Sequence, residues 1–437
     1  MKFLKKIKNN AVLSNISWIV IGRIIYMLLN FIVSLIVARY LGPSQYGLLG
    51  YAASYTTFFA SICSLGINSI IVKELINNPK NNGEILGTSI FLRIISSILS
   101  FLIIIFITFI VDMNETTTKI IVSLYAIHII FQSFELLKYW FQSKLQSKYS
   151  EIAASFAYIS MAIYMVILLI YKKNVLWFSI ASSIEYLILA ISLYIMYKKK
   201  QGQKLKVNQS LIKRLLSESY HFIISGMMIS IYNSTDRFML KQMLSESDVA
   251  YYTTAVTISG LCTFLLSAII QSLTPVIIES KNKNNDLYEK RNKELYAIVF
   301  YISTIISLFI AIFSKIIINT LYGESYLPAT IPLIILTWYT AFSYLGVARD
   351  PWIVCEKKQN YSKYIYIIAA FVNIIINYAL IPIWGASGAA FASLVTQIGT
   401  VLIFPLLFRD LRPNVKLIFE AIFLKNIIEK KGSDKMF

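Results

Sequence analysis

The feature that most constrains this chain is a succession of long apolar stretches separated by short segments rich in lysine and arginine. A helix crosses a bilayer with ~20 such residues, because each adds ~1.5 Å and the hydrocarbon layer is ~30 Å thick. Twelve stretches meet that requirement. They are residues 13–38, 45–71, 86–111, 119–138, 149–171 and 175–196, then 218–240, 250–278, 294–319, 328–350, 362–383 and 386–408. The chain therefore reads as an all-α integral membrane protein. Composition agrees, since 57% of its 437 residues are hydrophobic and 14% charged, where soluble domains carry roughly 25% charge.

The basic residues set the orientation. With the N-terminus on the cytoplasmic side, 32 of the 41 Lys and Arg fall in inner segments, and about seven lie near outer ends. Cytoplasmic loops are enriched in these residues, so both termini are expected in the cytoplasm. The formal charge of +19 is then explained by topology and by anionic lipid, with no need for nucleic acid. Lys2, Lys5, Lys6 and Lys8 precede an apolar stretch too long for a cleaved signal, so the first span is expected to stay in the membrane. The outer loops are too short to hold a folded domain.

The longest basic stretch, from Lys198 to Arg214, divides the spans six and six. We expect a six-helix lobe at 1–197, a basic linker at 198–217, a second six-helix lobe at 218–408 and a basic tail at 409–437. LIVARYLGPSQYGLLGYAASY in the first half resembles FMLKQMLSESDVAYYTTAVTI in the second. Halves that enter with the same polarity are related by an axis along the membrane normal, as in two-lobed transporters.

Ionisable groups at membrane depth carry the chemical information, because Arg or Asp at a helix centre costs roughly 2.5 to 3.5 kcal/mol on insertion scales. Arg23 and Arg93 lie inside the first and third spans, Glu185 inside the sixth, and Asp236 with Arg237 near the outer end of the seventh. Each has a cavity-facing reading and a plainer one as a snorkelling or structurally paired group. His128, Gln132, Glu135 and Tyr139 follow i, i+4, i+7, i+11 spacing, which puts them on one face of a continuous helix. That face lines a pathway or bonds a neighbouring helix. Ser225, Ile229, Tyr232 and Asp236 form a stripe on the seventh span, with Asn233 and Arg237 beside it. Asp236 and Arg237 point ~100° apart, so they serve different partners. Asn373, Asn377, Gly385, Ala389 and Ser393 read as helix-packing positions, and Pro328, Pro332 and Pro382 as bends near helix ends. Cys63, Cys262 and Cys355 show neither disulfide nor ligand spacing and are expected to be inert. No nucleotide-binding, metalloprotease or nucleophile-elbow motif occurs, and no cofactor or metal is implied.

VARYLGPSQYGLLGYAASYTTFFASICSLGINSIIVKEL, TDRFMLKQMLSESDVAYYTTAV and NIIINYALIPIWGASGAAFASLVTQ, taken in order, resemble the bacterial polysaccharide-export proteins of the Wzx type. These are the O-antigen and capsule-repeat flippases of the MATE-like superfamily. The resemblance implies an inverted-V transporter in the bacterial cytoplasmic membrane. Its cargo would be an undecaprenyl-diphosphate-linked oligosaccharide, moved to the outer leaflet by alternating access around a basic cavity. It further implies association with a polysaccharide polymerase and chain-length machinery. Arg23, Arg39, Asp236 and Arg237 match charged positions of the family, whereas basic residues within the spans are few here. Two other readings stand beside it: a cation-coupled exporter of small molecules using Glu185 or Asp236, and a membrane polymerase or glycosyltransferase.

Overall fold

The computed structural model describes residues 11–261 and 263–424, in which all regular structure is helical. Lys2, Lys5, Lys6 and Lys8, Cys262 and the tail beyond 424 lie outside the described residues, as does the side chain of Ser225. Ten segments are long and apolar enough to cross a membrane. The first is 48 residues long and contains two of the expected spans. Helix α1 (Ala11–Ser64) is broken within it at Gly42, which takes φ 71°, ψ 172° immediately before Pro43. Proline drives the residue before it out of helical geometry, and glycine accepts the positive φ without a Cβ clash. The seventh expected span lies in the helix Gln209–Met243, outside those ten segments.

The chain folds as two compact units, one ending at Ser234 and the other starting at Thr235. In the first unit α1 is followed by α2 (Ile71–Asn77), α3 (Asn82–Val111), α4 (Thr116–Ala126), α5 (His128–Phe131) and α6 (Leu136–Ser143). Then come α7 (Ser147–Ile170), α8 (Val175–Ser179), α9 (Ala181–Lys199) and the larger part of α10 (Gln209–Met243). Helix α7 packs on α9 and on α1, and α1 also packs on α3 and α4. Trp140, Phe141, Leu136, Leu193 and Tyr197 centre its core.

The expected fourth span is not one continuous helix. A 3-10 stretch, Gln132–Glu135, separates α5 from α6, and its tighter winding of about three residues per turn shifts the register. The common face expected for His128, Gln132, Glu135 and Tyr139 is therefore split.

The basic segment between α9 and α10 lies along the start of α3. Gly83 N–H donates to Gln203 Oε1 at 2.8 Å, and Lys206 N–H to Gly83 O at 3.2 Å. Asn208 donates through its backbone to Thr88 Oγ1 and through Nδ2 to Glu84 Oε2. At Gly87 a Cβ would stand 2.4 Å from Lys206 O, so only a bare backbone lets the segment seat. Gly87→Val is expected to unseat it, and trypsin should cut at Lys204 and Lys206 several-fold faster than in the parent protein.

The second unit holds the end of α10, then α11 (Glu246–Gly260), α12 (Thr263–Lys283), α13 (Asn285–Tyr322), α14 (Thr330–Ala348) and α15 (Asp350–Cys355). It continues with α16 (Asn360–Trp384), α17 (Ala386–Ile398) and α18 (Arg412–Ile422). Helices α13 and α14 pack together, α14 also meets α17, and α18 lies on α13. After α17 the chain passes through a π turn, Gly399–Ile403, and a 3-10 turn, Phe404–Leu407, where Pro405 has no N–H to continue an α-helical ladder. On α13, Ile305, Phe309, Ile312 and Ile316 are 60–73% exposed. An uninterrupted apolar row facing outward at helical spacing is what lipid-facing surface requires. The described residues thus form an all-α fold with helices suited to a membrane.

Candidate functional site

The first unit contains a cavity of about 370 Å³ walled by α1, α7, α9 and the Glu135–Lys138 turn. Arg23 and Tyr26 come from α1, Glu151 and Tyr158 from α7, and Glu185 and Tyr186 from α9. Gly22 makes room for the Glu151 carboxylate, which lies where a Cβ would point. Tyr26 and Tyr158 meet edge to face with ring centroids 4.6 Å apart, and Tyr158 donates to Asn30 Oδ1. Glu135 accepts from Lys138 Nζ at 2.7 Å.

An adjoining cavity of about 310 Å³ shares Glu135, Lys138 and Glu151 and adds Arg93, Asn68 and Tyr139. Arg93 is 3% exposed. Its Nη1 donates to Asn68 Oδ1 at 3.3 Å, and its Nε has no partner. The walls of the two cavities thus carry Arg23, Arg93 and Lys138 against Glu135, Glu151 and Glu185, a balanced set where the family resemblance implied a basic one. Ionised groups at membrane depth are tolerated where they face each other or water.

The other expected residues fall elsewhere. His128 is buried, with Nδ1 on Tyr125 O at 2.7 Å and its ring stacked on Tyr186. Gln132 lines neither cavity, and Arg39 is exposed on α1 away from both. Sequence spacing did not identify Lys138, Glu151, Tyr26 or Tyr158 as wall residues, because the wall is assembled from several helices and spacing along one helix does not report which others face it.

In the second unit Asp236 is buried at 3% exposure. Its Oδ1 accepts from Asn377 Nδ2 at 2.6 Å and from Asn373 Nδ2 at 3.3 Å. Its Oδ2 accepts from the Tyr252 and Ser393 hydroxyls. Four neutral donors stand in for water around the carboxylate, which is how a buried charge is kept without a cationic partner. Asn377 Oδ1 is buried with no partner. Uptake of a proton by Asp236 would turn one of its accepted bonds into a donated one, so the cluster can respond to protonation. Asn373, Asn377 and Ser393, expected as packing positions, therefore contribute hydrogen bonds to this carboxylate. The half-buried Arg237 does not share it, and its Nε is unpartnered.

Comparison with known proteins follows this architecture. Residues 12–281 match the family model described as polysaccharide biosynthesis protein. The capsular polysaccharide biosynthesis protein CapF of Staphylococcus aureus is 24% identical over 397 residues, covering 88% of this chain and 96% of that protein. Among solved structures, the lipid II flippase MurJ in an inward closed conformation superposes with a TM-score of 0.71 at 14% identity, over 94% of this chain and 93% of that one. An inward-facing multidrug resistance MATE family transporter of the MOP superfamily gives 0.65 at 15% identity, over 90% and 96%. These likenesses carry the fold, and the family match extends over more than half of the sequence. The chain is a member of the polysaccharide biosynthesis protein family, built on the fold of MOP-superfamily transporters.

Proposed function

We propose that this protein is a flippase that carries undecaprenyl-diphosphate-linked oligosaccharide repeat units from the inner to the outer leaflet of the bacterial cytoplasmic membrane. It does so by alternating access, in the assembly of O-antigen, capsule or exopolysaccharide, with its termini in the cytoplasm. The observation that carries this reading is the ionisable, tyrosine-lined cavity of the first unit, set among helices whose outer faces are apolar. A diphosphate and a hydroxyl-rich glycan cannot cross hydrocarbon unaided, since each unsatisfied polar group costs several kcal/mol there. Glu135, Glu151 and Glu185 offer acceptors to sugar hydroxyls, and the exposed Tyr26, packed on Tyr158, offers an aromatic surface. Arg23 is the group suited to the diphosphate. An anion moving outward from a negative interior gains about 2.3 kcal/mol per charge per 100 mV, which gives direction to the cycle.

Chromosomal deletion tests the proposal. Completed lipid-linked repeat units should accumulate in the cytoplasmic leaflet. A pool arrested at an earlier sugar would instead assign the protein to synthesis.

Asp236 and its four donors favour a second reading, cation-coupled export of small molecules. The two separate in a gradient experiment. Asp236→Asn should remove the dependence on a sodium or proton gradient in a coupled exporter, whereas a flippase driven by membrane potential alone keeps its rate.

A further inference from the structure

The second unit holds a larger recess of about 740 Å³ that the proposed translocation does not use. It opens between the start of α13, the turn after α15 and the approach to α18, all on the lysine- and arginine-rich side of the chain. Its floor is aromatic, formed by Trp352 at 5% exposure and Tyr288 at 1%.

Its charges do not cancel. Lys281 bonds Glu356 at 2.6 Å, Lys358 bonds Asp410 at 2.6 Å, and Lys293 bonds Glu420 at 3.1 Å. The bond from Lys358 holds the Asp410 carboxyl below the usual carboxylate range, so this pair stays ionised and mutually neutralised at ordinary pH. The wall carries five cations against four carboxylates; Arg409 and Arg412 have no carboxylate partner among the described residues, and Lys416 shares Glu420 with Lys293, which lies outside the wall. Arg412 spends its Nε on Leu406 O at 2.9 Å, which fixes the side chain and leaves the rest of the guanidinium to the recess. Lys416 stands 3.9 Å from the Glu420 carboxylate and is 78% exposed.

The neighbouring surface indicates depth. Helix α18 buries Val415, Leu417, Ile418 and Ala421 against the unit, while Phe419 is 43% exposed and Phe423, just beyond it, is 76% exposed. A short helix with lysine and arginine beside outward aromatics sits at the boundary between headgroups and acyl chains.

We propose that this recess is a binding site for a phosphate-bearing anion, held by Arg409, Arg412 and Lys416 above the Trp352 and Tyr288 floor. Guanidinium groups bind phosphate oxygens bidentately, and lysine adds a point charge. An anionic phospholipid headgroup and a soluble phosphate compound share that chemistry, and the exposed phenylalanines of α18 favour the lipid.

The test uses the full-length protein in phosphatidylcholine nanodiscs and follows its melting temperature in two arms. One arm titrates phosphatidylglycerol into the bilayer and the other titrates inorganic phosphate into the buffer. A saturable rise is expected, in the lipid arm if the headgroup is the ligand and in the phosphate arm if a soluble compound is. Arg409→Gln and Arg412→Gln should each weaken the apparent affinity roughly fivefold, the ratio given by ~1 kcal/mol per basic residue at a membrane surface. Lys416→Gln supplies a variant that spares the Arg412 to Leu406 bond. Lys290→Gln, an exposed change outside the recess, should have no effect. The proposal is overturned if neither arm saturates, or if Lys290→Gln weakens binding as much as Arg409→Gln does.

Discussion

Asp236→Ala is expected to lower the melting temperature of the purified protein by roughly 10 °C. The alanine variant leaves the amides of Asn373 and Asn377 and the hydroxyls of Tyr252 and Ser393 facing a site without their acceptor. Each buried polar group left without a partner costs about 1 to 3 kcal/mol. Two such losses after local rearrangement come to ~4 kcal/mol, and for a unit of this size each kcal/mol moves the midpoint by ~2 to 4 °C. Asp236→Asn keeps an acceptor oxygen and should lose about half as much. Differential scanning fluorimetry in one detergent decides the matter. A melting temperature for Asp236→Ala within ~2 °C of the parent value would show that the four donors find other partners, and that the carboxylate does not organise this cluster.

Arg23→Gln is expected to have the opposite profile, with stability retained and transport lost. Arg23 is exposed on α1 and lines the cavity of the first unit, so its removal empties no core and orphans no buried partner. A charge-assisted hydrogen bond to phosphate is worth about 1.5 to 3 kcal/mol, which corresponds to a roughly ten- to hundredfold fall in the rate at which cargo is taken up. Arg23→Lys should recover part of that rate, because the charge remains while the bidentate fork is lost. Parent-like transport by Arg23→Gln, measured at equal protein density, would remove Arg23 from cargo recognition.

The fold was legible because its main determinants are local. A run of ~20 apolar residues is long enough to span the hydrocarbon layer, and the Gly42–Pro43 pair coincides with the break within α1 for reasons that lie in those two residues alone. The site was legible only in part. Arg23, Glu135 and Glu185 stand out as charges in apolar helices and do line one cavity. Glu151 does not stand out, because it lies in the polar opening turns of α7, and only the approach of α1 at Gly22 brings it to the same space. His128 and Gln132 line neither cavity, and a 3-10 turn interrupts the period that the spacing argument assumes. Asn373 and Asn377 carry the right i, i+4 pattern, but their acceptor is Asp236, 137 and 141 residues earlier in the chain. Nothing local in the sequence reports a pairing at that distance.

Translocation itself is measured most directly by reconstituting the protein into liposomes that carry a fluorescent undecaprenyl-diphosphate-linked repeat unit, with a membrane-impermeant quencher outside. With the interior negative, the parent protein should expose inner-leaflet cargo far faster than protein-free liposomes, and Arg23→Gln should approach the protein-free rate. Equal rates with and without protein, at every potential imposed, would contradict a flippase.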